Sequence, residues 1–121
     1  MIHSLQIEFH NTQPVEDVAF RIRRELAELE KFYNRLVSCR VDVEFPEHPR
    51  SGSISEVRID FGVPAKDAAT PAEVRGATVK QDTEHLQVKA RHKDPIMAAH
   101  AAFNIAHRRL QEFVSGPYRP S

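Results

Sequence analysis

Residues 29–45 read Leu-Glu-Lys-Phe-Tyr-Asn-Arg-Leu-Val-Ser-Cys-Arg-Val-Asp-Val-Glu-Phe, and the hydrophobic period changes inside that stretch. Leading into it, Val15, Val18, Ile22, Leu26 and Leu29 recur at three- and four-residue steps, the repeat of an amphipathic helix. Toward its end, Val37, Cys39, Val41, Val43 and Phe45 alternate with Ser38, Arg40, Asp42 and Glu44, the period of a strand with one buried face. A helix ending near Tyr33 and Asn34 therefore hands its apolar stripe to a half-buried strand. The rest of the chain has to cover the apolar side of that pair.

Upstream, Leu5, Ile7 and Phe9 alternate with Gln6, Glu8 and His10, which predicts a first strand over 2–10. Residues 11–14 read as a turn, with Pro14 suited to the first helical turn and Glu16 and Asp17 facing the positive end of the helix dipole. Phe20 falls opposite Ile22 on the helical wheel, on the outer face. Downstream, 46–53 is a Pro- and Ser-rich loop, and Val57, Ile59, Phe61 and Val63 predict a third strand that Pro64 ends. The segment 65–83 reads as a long loop, with 74–79 a weak extra strand. Leu86, Val88 and Ala90 predict a fourth strand. Asp94 and Pro95 are a good N-cap and first helical residue, and Ile96, Ala99, Phe103, Ala106, Leu110 and Phe113 form the stripe of a second helix. Gly116 and Pro117 stop it.

The order β-α-β-β-β-α predicts an α+β fold, a four-stranded mixed sheet with two helices on one face and water on the other. Strands 1 and 2 should be parallel across a right-handed helical crossover, and strands 2 to 4 an antiparallel meander. With 121 residues, the reading is a single domain over 1–114 and a loose tail over 115–121.

Composition narrows the function. No run approaches the roughly 18 apolar residues of a membrane span, and the first residues lack the basic-then-apolar pattern of a secretory leader. The expectation is a cytoplasmic protein, with Cys39 a small buried hydrophobe on the apolar side of its strand. Basic and acidic side chains balance at 17 each, so there is no overall basic footprint for nucleic acid. The distribution is less even: 84–113 carries five Lys or Arg against three acids, and four of the seven histidines.

Catalytic patterns are poor. There is no Gly-rich phosphate loop, nucleophile elbow or metal-type Cys/His spacing, and His100 and His107 lie two helical turns apart. Neither an enzyme nor a cofactor or metal site is expected. Glu8, Asp42, Glu44 and Asp60 alternate with Arg40, Arg58, Lys89 and Arg91 on the open sheet face, a pattern of cross-strand pairs rather than an acid/base dyad. That face carries no aromatic for base stacking, so RNA binding would proceed by shape and phosphate contacts. The candidates are Arg21, Arg24 and Lys31 on helix 1, with Arg23 and Arg35 nearby. Lys89, Arg91, His92 and Lys93 lead into helix 2, and His100, His107 and Arg108 continue along one flank of it, with Arg109 on the other.

These blocks resemble a known family. Residues 29–44, the third strand Val-Arg-Ile-Asp-Phe-Gly-Val-Pro at 57–64 and the second helix at 94–111 are similar, in the same order, to the ribosome hibernation-promoting factor / sigma-54 modulation protein family. The likeness spans nearly the whole chain outside 65–83 and the tail. It implies a fold similar to double-stranded RNA-binding domains and a stress role on the small ribosomal subunit. Members sit in the channel between head and body, contact 16S rRNA through basic side chains and inhibit translation without catalysis or cofactor. The chain looks like a short form lacking the domain that joins two ribosomes. It departs from the pattern at Ile96, where an aromatic is common, and at His100 and His107, where close relatives tend to carry arginine. The competing expectation is a protein-interaction module that keeps the fold without ribosome binding, with its partner at Phe20 or the 65–83 loop.

Overall fold

A computed structural model describes residues 5–48, 50, 52–69 and 83–116. The elements are β1 (Leu5–His10), α1 (Glu16–Phe32), β2 (Ser38–Glu44), β3 (Ser55–Pro64), a 3-10 turn (Ala65–Asp67), β4 (Thr83–His92) and α2 (Pro95–Ser115). They form one sheet in the order β1-β2-β3-β4, with β1 parallel to β2 and the other two pairs antiparallel. This is the predicted α+β arrangement. Among the described residues no helix is long and apolar enough to cross a membrane.

The strand alternation produces the layers. Cys39, Val41 and Val43 on β2, Val57, Ile59, Phe61 and Val63 on β3, and Leu86 and Val88 on β4 are buried on one sheet face. Against them pack Val18, Ile22, Leu26 and Leu29 of α1 and Ala98, Ala99, Ala102, Phe103, Ala106, Leu110 and Phe113 of α2. Burial pushes the Cys39 thiol up to about 12, so it is a core side chain with no thiolate chemistry at neutral pH.

Several boundaries differ from those the sequence predicts. Residues 2–4 of the first strand lie outside the described residues, as does the weak strand at 74–79. Pro14 precedes α1 instead of entering it: Val15 is the N-cap, and it provides no side-chain cap. Val37 and Phe45 fall outside β2. Val37 is 45% exposed because residues 33–37 are a lead-in that precedes the ladder, joined to the sheet where the Val37 N–H donates to the Gly62 carbonyl at 2.8 Å. β4 starts three residues early, at Thr83, because β3 runs to Pro64 and extends the ladder opposite it. The cap of α2 is as expected, with the Asp94 carboxylate accepting from the Ile96 N–H at 2.9 Å, and the helix includes Ser115 before Gly116 closes it at φ 48°.

The start of the 65–83 segment is ordered rather than looped. The Tyr33 hydroxyl donates to Asp67 Oδ2 at 2.5 Å, and Arg35 Nε donates to the same oxygen at 2.7 Å. The Ala69 N–H then donates to the Phe113 carbonyl at 2.8 Å. The chain leaving β3 is thereby tied to the C-terminal ends of both helices. At the opposite end of the sheet, Asn11 takes a left-handed turn at φ 66°, and its side-chain amide donates to the Phe45 carbonyl at 2.9 Å. Asparagine is one of the few residues besides glycine that take up that conformation readily, and here the bond to Phe45 holds it.

Candidate nucleic-acid interface

The ten candidate side chains do not form one patch. Lys89 and Arg91 share the open sheet face, since Val88 and Ala90 between them point to the helices. Arg21, Arg24, Lys31, His100, His107 and Arg108 belong to the helical layer on the other side. His92 and Lys93 sit where β4 passes into α2.

The open sheet face is a closed charge network. Arg40 donates to Glu8 at 2.7 Å and to Asp42 at 3.3 Å, and His10 Nε2 lies 2.9 Å from Asp42. Arg58 reaches Glu44 at 3.4 Å and Glu56 at 3.5 Å, and Arg91 donates to Glu56 at 2.7 Å. Asp60 accepts from Gln87 at 2.8 Å and lies 2.7 Å from His85 Nδ1. Five carboxylates thus face four Lys or Arg, and among the described residues only Lys89 of those four makes no ion pair. Arg91 is already committed to a carboxylate. A phosphate approaching this face meets acid beside almost every cation, which disfavours it as an RNA surface.

The oxygens and nitrogen of Glu8, His10 and Asp42 come within 4.8 Å of one another, close enough to suggest metal ligands, a grouping that sequence spacing did not reveal. The Arg40 guanidinium already supplies the cation there, bonded to both carboxylates.

These contacts set an acid dependence. At Asp42 partial burial raises the pKa, but hydrogen bonds from His10 and Arg40 together outweigh it and hold the carboxyl below its usual range. At Asp60 burial is likewise the largest influence and is overcome by Gln87 and His85. Arg91 lowers Glu56, and Tyr33 followed by Arg35 lowers Asp67. A carboxyl whose folded pKa is depressed contributes stability above its unfolded pKa and loses it as pH falls through the folded value. The urea midpoint should therefore be insensitive to these groups above about pH 5 and fall progressively below about pH 4. Equal midpoints at about pH 3 and pH 6 would mean that the network contributes nothing to stability.

On the helical side the histidines take structural roles. His100 Nδ1 lies 2.8 Å from Glu25 Oε2, and Arg21 Nε donates to that same oxygen at 2.8 Å. Arg21 Nη2 also lies 3.2 Å from His100 Nδ1, and Nε2 lies 3.3 Å from the Asn104 amide, so both ring nitrogens have polar partners. His100 thus links α2 to α1 instead of presenting a free cation. His107 packs edge-on against Phe32, ring centroids 4.4 Å apart. His92 Nδ1 accepts from the Asp94 N–H at 2.9 Å, and Lys31 pairs with Glu28 at 2.7 Å.

Five cations of the helical side make no ion pair among the described residues: Arg23, Arg24, Lys93, Arg108 and Arg109. All five are exposed. Two partners had no visible signal in sequence. Glu25 meets His100 across 75 positions, and Asp67 meets Tyr33 across 34. The Arg21–Glu25 pair, four apart on one helix, follows a local rule instead.

No family model matches this chain, and no curated protein matches it in sequence. Its fold is that of solved structures. The N-terminal domain of Protein Y from Thermus thermophilus superposes with a TM-score of 0.63 at 14% identity, over 93% of this chain and 97% of that one. A ribosomal subunit interface protein from Coxiella burnetii gives 0.68 at 6% identity, over 93% and 98%. Identities this low carry the fold alone.

Proposed function

We propose that this chain is a ribosome-associated factor of the hibernation-promoting family, which binds 16S rRNA on the small subunit and inhibits translation without catalysis. The observation that carries this reading is the full-length match in fold to a ribosomal subunit interface protein. The colinear sequence blocks at 29–44, 57–64 and 94–111 support the same family independently.

The charge arrangement favours the helical side for the rRNA contact. Phosphate binding favours cations that can displace the counterions condensed on the RNA without first breaking an ion pair of their own. Arg24, Lys93 and Arg108 meet that requirement, while Arg91 and Lys31 are held by Glu56 and Glu28. His100 and His107 support this surface by fixing α2 against α1.

Co-sedimentation with 30S subunits at rising salt tests the reading. The wild-type chain should pellet at low salt and be released as salt rises. Replacing Arg24, Lys93 and Arg108 together by Gln should weaken pelleting by at least about tenfold. It should also flatten the log–log salt slope by up to about three, one for each phosphate left unneutralised. These side chains are exposed, so thermal stability should change by no more than about 0.5 kcal/mol each. Replacing Lys89 and Arg91 instead should have the smaller effect. The reverse ranking would move the contact to the sheet face, and a wild-type chain that stays in the supernatant at every salt would remove the ribosome from its function.

A further inference from the structure

α1 carries a feature that neither its packing nor a phosphate-only contact explains. Phe20 is 60% exposed, the most exposed large hydrophobic side chain among the described residues. It points away from the core stripe of Val18, Ile22, Leu26 and Leu29, and no ring contact ties it to another described residue. A lone exposed apolar side chain needs no explanation by itself. What sets Phe20 apart is its setting. Arg23 and Arg24 follow it at three and four positions, which places both beside it on the helix surface. Arg23 has no ion-pair partner among the described residues. Arg24 lies near Glu28, but the Glu28 carboxylate is bonded to Lys31 at 2.7 Å. Ala27, two turns beyond Phe20, is small and exposed.

An exposed ring flanked by two uncommitted guanidinium groups suits one unpaired nucleotide. The ring supplies a face for the base, and the guanidinium groups supply donors for its phosphate. We propose that Phe20 is a stacking platform for an unpaired RNA base, with Arg23 and Arg24 holding the adjoining phosphate. Glu16 and Asp17 lie one turn toward the N-terminus and repel phosphate there, so the backbone runs on the Arg23 and Arg24 side of the ring. The inference rests on the rRNA-binding reading and adds to it a single-stranded element in the target. A duplex contacted only by cations would not use the ring.

The chain contains no tryptophan, so Phe20→Trp introduces a single indole, excited selectively over the two tyrosines, at the site. Titration with a short oligoadenylate should quench its emission saturably. The double change Arg23→Gln and Arg24→Gln in the same background should flatten the salt slope by about 0.7, the value for one phosphate on a single strand. In parallel, Phe20→Leu, which keeps the bulk and removes the π-face, should weaken 30S pelleting by roughly 5- to 100-fold, and Phe20→Tyr should retain it. Unchanged emission with oligoadenylate, together with wild-type pelleting of Phe20→Leu, overturns the proposal while leaving ribosome binding in place. Quenching by 30S subunits but by neither oligoadenylate nor protein-free 16S rRNA also overturns it, and assigns Phe20 to a protein partner. Quenching by oligoadenylate in a chain that never pellets with 30S upholds the platform and defeats the ribosome reading, so the two failures are distinguishable.

Discussion

Replacing Phe61 by alanine should lower the unfolding free energy by about 3–5 kcal/mol, roughly 10–20 °C in midpoint for a domain of this size. Phe61 is the largest of the fully buried side chains, at the centre of β3 between Cys39 and Leu86 on the neighbouring strands. α2 runs back along β3 and β4, and the Phe113 carbonyl accepts from the Ala69 N–H beyond the end of β3, so the buried Ala106, Leu110 and Phe113 lie toward the Phe61 end of the strand. Phe61 is fully buried and close-packed on every side, so the space left by the ring stays largely empty and the cost includes that of a cavity. Phe61→Leu, which keeps most of the volume, should cost under about 1.5 kcal/mol. Urea denaturation of the two variants decides the matter. A loss below about 1 kcal/mol for the alanine variant would mean that α2 can collapse onto the sheet.

The second large effect is expected at Asp67, and it is asymmetric. One carboxylate oxygen accepts from both Tyr33 and Arg35. Tyr33 is buried, and burial together with the neighbouring carboxylate raises its hydroxyl pKa, so it stays a neutral donor. Asp67→Ala leaves that donor without its acceptor, at about 1–3 kcal/mol. Tyr33→Phe removes the donor and the need for an acceptor together and should cost about 1 kcal/mol. The double variant should therefore be more stable than the sum of the single changes implies, by at least about 0.5 kcal/mol. Arg35 is half exposed and adds little. Faster hydrogen exchange at the Ala68 and Ala69 amides, which bond to Ala65 and Phe113, should accompany the loss in Asp67→Ala. Strict additivity of the two substitutions would show that the hydroxyl and the carboxylate act independently.

Most of the architecture could be read from periodicity, because one-faced burial imprints it on every element. The change of period inside 29–45 located the α1–β2 junction, and Asp94 with Pro95 located the start of α2. What could not be read has physical reasons. Val37 looks like a strand residue by alternation, yet it precedes the ladder and is half open to water. Thr83, Glu84 and His85 lack an apolar alternation and join β4 because β3 supplies partners opposite them. For the candidate surface, composition marked the basic residues but not their availability. Arg91 and Lys93 look equivalent in sequence, and pairing with Glu56 separates them. His100 could be placed on a helix flank but not against Glu25, since no local rule reaches across 75 residues.

The strands lie side by side in the order in which the chain is made. No strand has to be threaded between two that are already joined, so the sheet can be assembled from its N-terminal edge while later residues are still being added. The parallel β1–β2 pair, which needs α1 to cross over, comes first. β3 and β4 then each meet a free edge through an antiparallel approach, and α2 arrives last to close the apolar face that β3 and β4 leave open.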